Sequence, residues 1–73
     1  MNSIYEKDYQ DMIERLKRMR HECQMRQVDV AKKLKKPQSY VSKIEARHRK
    51  LDILELKQFL DVYQGKSSQI FDD

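Results

Sequence analysis

The chain has 73 residues, a mass of 8.9 kDa and a net charge of +4, and hydrophobic and charged residues each make up 38% of it. This length accommodates one small hydrophobic core and excludes a core combined with a deep substrate pocket. One cysteine excludes an internal disulfide, and no run of about 18 apolar residues is present for a membrane span. One glycine and one proline disfavour a strand-rich fold with many tight turns. We therefore expect a single all-α domain over residues 1–73, in a cytoplasmic protein.

The positive charge is concentrated in the middle of the chain. Residues 26–50 contain nine basic and two acidic residues, a net charge of +7, whereas the other positions contain seven basic and ten acidic residues, a net charge of −3. A basic block of this kind favours a polyanionic partner, and nucleic acid is the first candidate. A solvated lysine-rich face is the alternative, so the interpretation depends on the architecture of this segment.

The apolar periodicity predicts a compact bundle of four to five helices. The first helix is expected over residues 3–23, where apolar residues recur every three or four positions and acidic residues precede basic ones, the order that suits a helix macrodipole. Cys23 is expected to be a small core residue. Two short helices are expected over residues 27–34 and 38–46, and Pro37 suits the beginning of the second.

The C-terminal part is richer in apolar residues than one buried face requires. A fourth helix is expected over residues 51–64, with Asp52 as its N-cap and Gly65 ending it in a left-handed turn, and a last short turn follows it. Exposed apolar surface on so small a domain usually marks an interface, so we expect residues 51–73 to form a homodimer interface. The alternative is that these side chains only complete the monomer core. The residues expected at the interface are Leu56, Phe59, Leu60, Tyr63, Ile70 and Phe71.

The two short helices in the basic segment predict a helix-turn-helix over residues 27–46. In that motif the second helix enters the major groove of DNA and presents side chains to the base edges. This role requires polar side chains that donate and accept hydrogen bonds; glutamine can pair with adenine through two hydrogen bonds, and lysine can donate to guanine. The candidate base-reading residues are Gln38, Ser39, Ser42 and Lys43.

The spacing of residues within the two short helices is distinctive. Segments 27–34 (QVDVAKKL) and 37–45 (PQSYVSKIE) place glutamine, alanine, leucine, valine, isoleucine and glutamate at characteristic separations. In these positions the chain resembles the lambda-repressor-like, Cro/CI-type helix-turn-helix family, over about residues 16–71. The resemblance implies that Gln27 contacts a DNA phosphate and braces Gln38, the usual base reader.

The resemblance and the surrounding basic residues also indicate contacts with the DNA backbone. The residues expected to make them are Arg26, Gln27, Lys36, Tyr40, Arg47, Arg49 and Lys50. Arg20 and Glu45 match a pair that forms an internal salt bridge between the first and third helices of the family. Glu45 is therefore interpreted as a structural residue and not as a catalytic acid.

Three positions depart from the family pattern. Lys35 stands where the family usually has glycine with positive φ, which implies a backbone cost on the order of 1 kcal/mol. Arg26 stands where many members have a capping serine or threonine, and arginine cannot cap, so a phosphate contact is the better explanation. Arg47 also replaces a glycine, which places another cation in the loop after the motif.

No arrangement of residues predicts catalysis or metal binding. His21, His48 and Cys23 do not have the spacing of a metal site, and no nucleophile with a neighbouring base or phosphate-binding glycine loop is present. We therefore expect no enzyme activity, no metal and no cofactor.

The prediction for function is a sequence-specific DNA-binding transcriptional regulator, a repressor that acts as a homodimer on a palindromic operator. The first alternative is a protein-interaction module of the antitoxin or anti-regulator type, whose main target is a protein. Acidic residues of the first helix could serve such a partner: Glu6, Asp8, Asp11 and Glu14. A third reading is a basic amphipathic binder of RNA or acidic lipid.

Overall fold

The computed structural model describes residues 3–65, with side chains from residue 6 onward. This part of the chain forms helices and no strands, which confirms the all-α expectation. None of the helices in the described range is long and apolar enough to cross a membrane. The expected last turn, with Ile70 and Phe71, lies outside the described residues. The helices are α1 (Ser3–Glu22), α2 (Gln27–Leu34), α3 (Gln38–Glu45) and α4 (Ile53–Tyr63).

Every helix contributes side chains to one hydrophobic core. Phe59 of α4 lies at its centre, 1% exposed, with its ring 6.2 Å from the rings of Tyr40 and Tyr63. The α2–α3 pair rests on α1 and α4, so the exposed side of α3 faces away from the core. The buried residues are Ile13, Leu16, Met19, Val30, Ala31, Val41, Ile44, Leu56, Phe59 and Tyr63.

The assignment of α4 residues to a dimer interface was partly wrong. Leu56, Phe59 and Tyr63 are at most 6% exposed because they fill the core of a single copy, so they are not available to a second one. Leu60 is half-buried against the core. The apolar surplus of the C-terminal part instead appears at the first turn of α4, where Ile53 and Leu54 are 72% and 70% exposed.

Each of the helices α1–α4 is followed, within two residues, by a left-handed residue that is not glycine, with φ between 54° and 63°. At each end an amide donates to the carbonyl five residues earlier, which satisfies a carbonyl that the helix leaves open. Lys35 has the positive φ that was expected of it. The expectation that Gly65 ends α4 in the left-handed conformation was wrong, because Gln64 takes that conformation and the Gly65 amide only completes the turn. The four residues are Gln24, Lys35, Arg47 and Gln64.

The loop between α3 and α4 is held at its C-terminal end. Asp52 is the N-cap of α4, as expected: its carboxylate accepts from the Glu55 amide at 2.7 Å, and the Glu55 carboxylate accepts from the Asp52 amide at 3.0 Å. The hydroxyl of Tyr9 on α1 accepts from the Leu51 amide at 3.0 Å. These contacts hold the chain at the beginning of α4 and so set the course of the basic loop before it.

Cys23 is exposed, so its interpretation as a core residue was wrong. The reason is that α1 ends at Glu22 and the chain turns there, which places Cys23 outside the apolar stripe of the helix. Its thiol lies 3.7 Å from the carbonyl oxygen of Tyr63, at the C-terminal end of α4.

Candidate nucleic-acid interface

The four candidate base-reading side chains all lie on the exposed side of α3. The opposite side of this helix is buried through Val41 and Ile44, which are spaced three residues apart. Pro37 precedes the helix in extended conformation, with φ of −65°, which suits the point at which a helix begins. The exposed residues are Gln38, Ser39, Ser42 and Lys43.

A buried ion pair joins α1 to the C-terminal end of α3. Arg20 Nε and Nη2 donate to the two carboxylate oxygens of Glu45 at 2.6 and 2.9 Å, and each residue is only 8% exposed. Arg20 Nη1 donates to the Met25 carbonyl at 3.0 Å, which also ties down the turn after α1. The hydrogen bonds to Glu45 raise the pKa of the Arg20 guanidinium. Both carboxylate oxygens are occupied, which agrees with a structural role for Glu45.

Gln27 connects this ion pair to the first residue of α3. Its amide nitrogen donates to Glu45 Oε1 at 3.0 Å, and its amide oxygen accepts from Gln38 Nε2 at 3.4 Å. A primary amide has two N–H donors and one acceptor oxygen. Gln38 therefore keeps one donor and its acceptor, the two groups with which glutamine pairs with adenine.

Arg26 at the N-terminal end of α2 is exposed and paired with Asp29. Arg26 Nε and Nη2 donate to the two Asp29 oxygens at 3.1 and 3.0 Å, and the Arg26 amide donates to Asp29 Oδ2 at 2.8 Å. These hydrogen bonds lower the pKa of Asp29 to about 2. Asp29 thus supplies the hydrogen-bond acceptor that the Arg26 side chain cannot provide at the N-terminal end of α2. Arg26 Nη1 makes no hydrogen bond with Asp29. An acid at the third helical position is a local signal from which this contact could have been predicted.

Tyr40 was expected at the DNA backbone, and the structure corrects its place. Its ring stacks on Phe59 with an interplanar angle of 22°, and its hydroxyl oxygen is buried, so the hydroxyl cannot reach a phosphate. Burial raises the pKa of the Tyr40 hydroxyl, and the nearby Glu55 carboxylate raises it further. Two cations border the ring: Lys36 Nζ lies 5.3 Å and Arg49 Cζ 4.8 Å from its centre.

The loop after α3 carries exposed cations with different partners. Arg49 Nη1 lies 3.0 Å from Glu55 Oε2 and also contacts the Lys50 carbonyl at 3.4 Å. The Asp52 amide, and after it Arg49, lower the pKa of Glu55. Within residues 3–65, neither Arg47 nor Lys50 takes part in an ion pair, and both residues are exposed. The Arg47 guanidinium and the Lys50 ammonium group therefore face solvent.

No group of three or more possible metal-ligating residues occurs in the part of the chain that the structure describes. Two acids on α1 lie beside lysines of the same helix, Asp11 at 3.8 Å from Lys7 and Glu14 at 3.5 Å from Lys17. Pairs at this spacing stabilise an exposed helix by about 0.2–0.5 kcal/mol each.

Comparison with known proteins adds one finding. A family model described as helix-turn-helix matches residues 16–71, a range that includes all of α2, α3 and α4. No curated protein was found to match the sequence.

Proposed function

Because the chain belongs to the Cro/CI-type helix-turn-helix family of DNA-binding transcription regulators, we propose that it is a sequence-specific repressor that binds a palindromic operator as a homodimer. The family is regulatory and not typically enzymatic. The observation that carries the proposal is the exposed polar side of α3, whose first residue is joined by hydrogen bonds through Gln27 to the buried Arg20–Glu45 pair. Repression by occupancy requires only that the operator be covered, and this surface is suited to that.

In the proposed complex α3 lies in the major groove. Gln38 pairs with adenine through its remaining donor and acceptor, and Lys43, more than one helical turn later, donates to guanine. Cations flanking the helix, with Arg47 and Lys50 in the following loop, bind phosphates of the backbone. Phosphate contacts supply affinity and set the register, whereas base contacts supply specificity.

The homodimer is proposed because one short helix reads few bases. A good contact with two hydrogen bonds contributes about 1–3 kcal/mol to the discrimination against a wrong base. A second copy on a second half-site makes the same contacts again and therefore doubles this free energy of discrimination. Half-sites of such dimers lie about 34–36 Å apart, one turn of the DNA. Leu60 remains an interface candidate, together with Ile70 and Phe71 beyond the described residues. Sedimentation showing only monomer at high micromolar concentration would contradict this part of the proposal.

Selection of bound sequences from a random pool of duplex DNA tests the proposal as a whole. We expect enrichment of an inverted repeat with half-site centres about 10 base pairs apart. An enriched sequence without two-fold symmetry would overturn the dimer, and absence of any enrichment would overturn sequence-specific binding. The same pool offered as single-stranded RNA, and anionic vesicles of phosphatidylserine, provide the comparison for the RNA and lipid readings.

Substitutions on α3 and in the loop separate base reading from phosphate binding. Gln38→Ala is expected to reduce discrimination between operator and random duplex by about 5- to 150-fold, the equivalent of 1–3 kcal/mol. Arg47→Ala is expected to weaken both duplexes alike and to lower the salt slope of log affinity by about 0.9. Gln58→Ala, an exposed glutamine of α4, is the matched control and should change neither. Equal loss on both duplexes for Gln38→Ala would exclude its base-reading role.

A further inference from the structure

Two cations that are far apart along the helix-turn-helix meet at one aromatic ring. Lys36 precedes α3 and Arg49 follows it, yet their charged groups lie 5.3 and 4.8 Å from the centre of the Tyr40 ring. Both distances fall within the approximately 6 Å over which a cation is attracted to a ring face. The two charges are therefore at most about 10 Å apart. One ring thus gathers positive charge from both ends of α3.

The ring is held rigidly by the core. Tyr40 stacks on Phe59, which is 1% exposed and lies at the centre of the core. Lys36 itself is exposed, and the Arg49 side chain is 43% exposed. The arrangement therefore presents two solvent-facing cations on a fixed aromatic support.

The pairing of like charges is only partly compensated within the chain. Glu55 contacts Arg49 through Nη1 at 3.0 Å and leaves the Nε and Nη2 groups of the guanidinium for another acceptor. No acidic residue forms an ion pair with Lys36 within the described residues. An anion that contacts both cations would relieve their repulsion, and guanidinium and ammonium groups both suit phosphate oxygens.

We propose that Lys36 and Arg49 form one binding site for the DNA backbone, for a single phosphodiester or for two consecutive ones of a strand. Consecutive phosphates of one strand follow each other every 3.4 Å or so along the helix axis, which suits charges no more than about 10 Å apart. Tyr40 is the positioning residue of this site: it does not touch DNA but fixes two long side chains before binding, so that less side-chain freedom is lost in the complex. This inference rests on the proposed DNA-binding function.

Titration of the full-length chain with a fixed duplex at several KCl concentrations tests the site. Tyr40→Phe keeps the ring and should retain the affinity and salt slope of the unmodified protein. Tyr40→Leu removes the ring and should weaken operator and random duplex alike, by about 2- to 13-fold for each long side chain that must then be immobilised on binding. It should also make the salt slope shallower, although both cations are still present. Circular dichroism confirms that each variant is folded at the temperature used.

Coupling between the residues distinguishes positioning from a general effect on the fold. Lys36→Ala should cost clearly less affinity in the Tyr40→Leu variant than in the unmodified chain. If Tyr40→Leu does not fold, Lys36→Ala and Arg49→Ala test the shared site, since they alter only exposed side chains. If one site holds both cations, the losses of affinity in the two single variants should not add up in the double variant. Lys57→Ala is the matched control, an exposed lysine that borders no aromatic ring among the described side chains.

The outcomes separate this inference from the function on which it rests. Failure of the unmodified chain to bind any duplex would overturn the proposed function. Normal DNA binding with an unchanged salt slope in Tyr40→Leu would overturn the positioning role alone. Additive losses for Lys36→Ala and Arg49→Ala would overturn the shared site and leave two independent phosphate contacts.

Discussion

Replacing Glu45 with alanine removes the carboxylate that accepts hydrogen bonds from both Arg20 and Gln27. The Arg20 guanidinium, on a residue that is 8% exposed, would then remain buried and keep its hydrogen bond to the Met25 carbonyl. Breaking one side of a buried ion pair costs about 3–5 kcal/mol, because the other charge is left uncompensated. The remaining hydrogen bond to Met25 places our expectation at the lower end, about 3 kcal/mol.

This loss is large for a domain of this size. At the usual 0.05–0.15 kcal/mol per residue, 73 residues have a free energy of unfolding of about 4–11 kcal/mol. Glu45→Ala should therefore lower the melting temperature by about 12 °C or more. Urea denaturation followed by far-ultraviolet circular dichroism should show a lower midpoint with an unchanged slope.

Two further variants test whether the unpaired Arg20 charge causes the loss of stability in Glu45→Ala. Replacing both partners, Arg20→Met with Glu45→Leu, should restore most of the stability, because no buried charge is left unpaired. It should still impair operator discrimination, because Gln27 has lost its acceptor. Asp61→Ala, which breaks an exposed pair with Lys57 at 3.3 Å, should change stability by less than about 0.5 kcal/mol. A loss below about 1 kcal/mol for Glu45→Ala, or a double variant no more stable than the single one, would refute the reasoning.

Predictions at four other positions follow from local structure. Asp52→Ala should destabilise the fold by about 1 kcal/mol in urea denaturation, and Asp52→Asn by less; equal losses would exclude the capping role. Lys35→Gly should raise the free energy of unfolding by about 1 kcal/mol, because φ at this position is 59°. Arg47→Gly, at φ of 63°, should also raise stability but should weaken DNA binding. A stable Arg47→Gly variant with undiminished affinity for DNA would contradict the phosphate contact. The folded-state pKa of Asp29 is about 2, below the ordinary value near 4, so its contribution is present above pH 4 and lost as the pH falls toward 2. Unfolding midpoints between pH 2 and 6 should show less acid dependence for Asp29→Asn, and identical profiles would refute this.

Local signals were sufficient for the helix-turn-helix itself. The predicted bounds of residues 27–34 agree with α2, and those of 38–46 extend one residue beyond α3. Apolar spacing, a proline before the second helix and the short connection between the two helices act over a few residues, and such features can be read directly from the chain. The same spacing placed the candidate base-reading residues on the exposed side of α3.

The apolar residues of α4 could not be divided between core and surface in the same way. They cover more than one face of the helix, so periodicity alone does not tell which face is buried. Packing on the other three helices buries Leu56, Phe59 and Tyr63 and leaves Ile53 and Leu54 exposed. The ending of α4 at Gln64 is a similar case, since the backbone adopts the left-handed conformation where packing requires the turn.

The sequence by itself determined an all-α chain with a basic middle segment, the two helices of the motif and the side of α3 that faces outward. The family resemblance implied the Arg20–Glu45 and Gln27–Gln38 contacts, but only the tertiary structure decided what the other charged and aromatic side chains near that surface contact. The physical reason is that these contacts join residues that are distant along the chain: Tyr40 of α3 stacks on Phe59 of α4, and Tyr9 and Leu51 are 42 residues apart. Periodicity indicates which side of a helix is apolar, but the residue that a side chain contacts on another helix depends on how the helices pack.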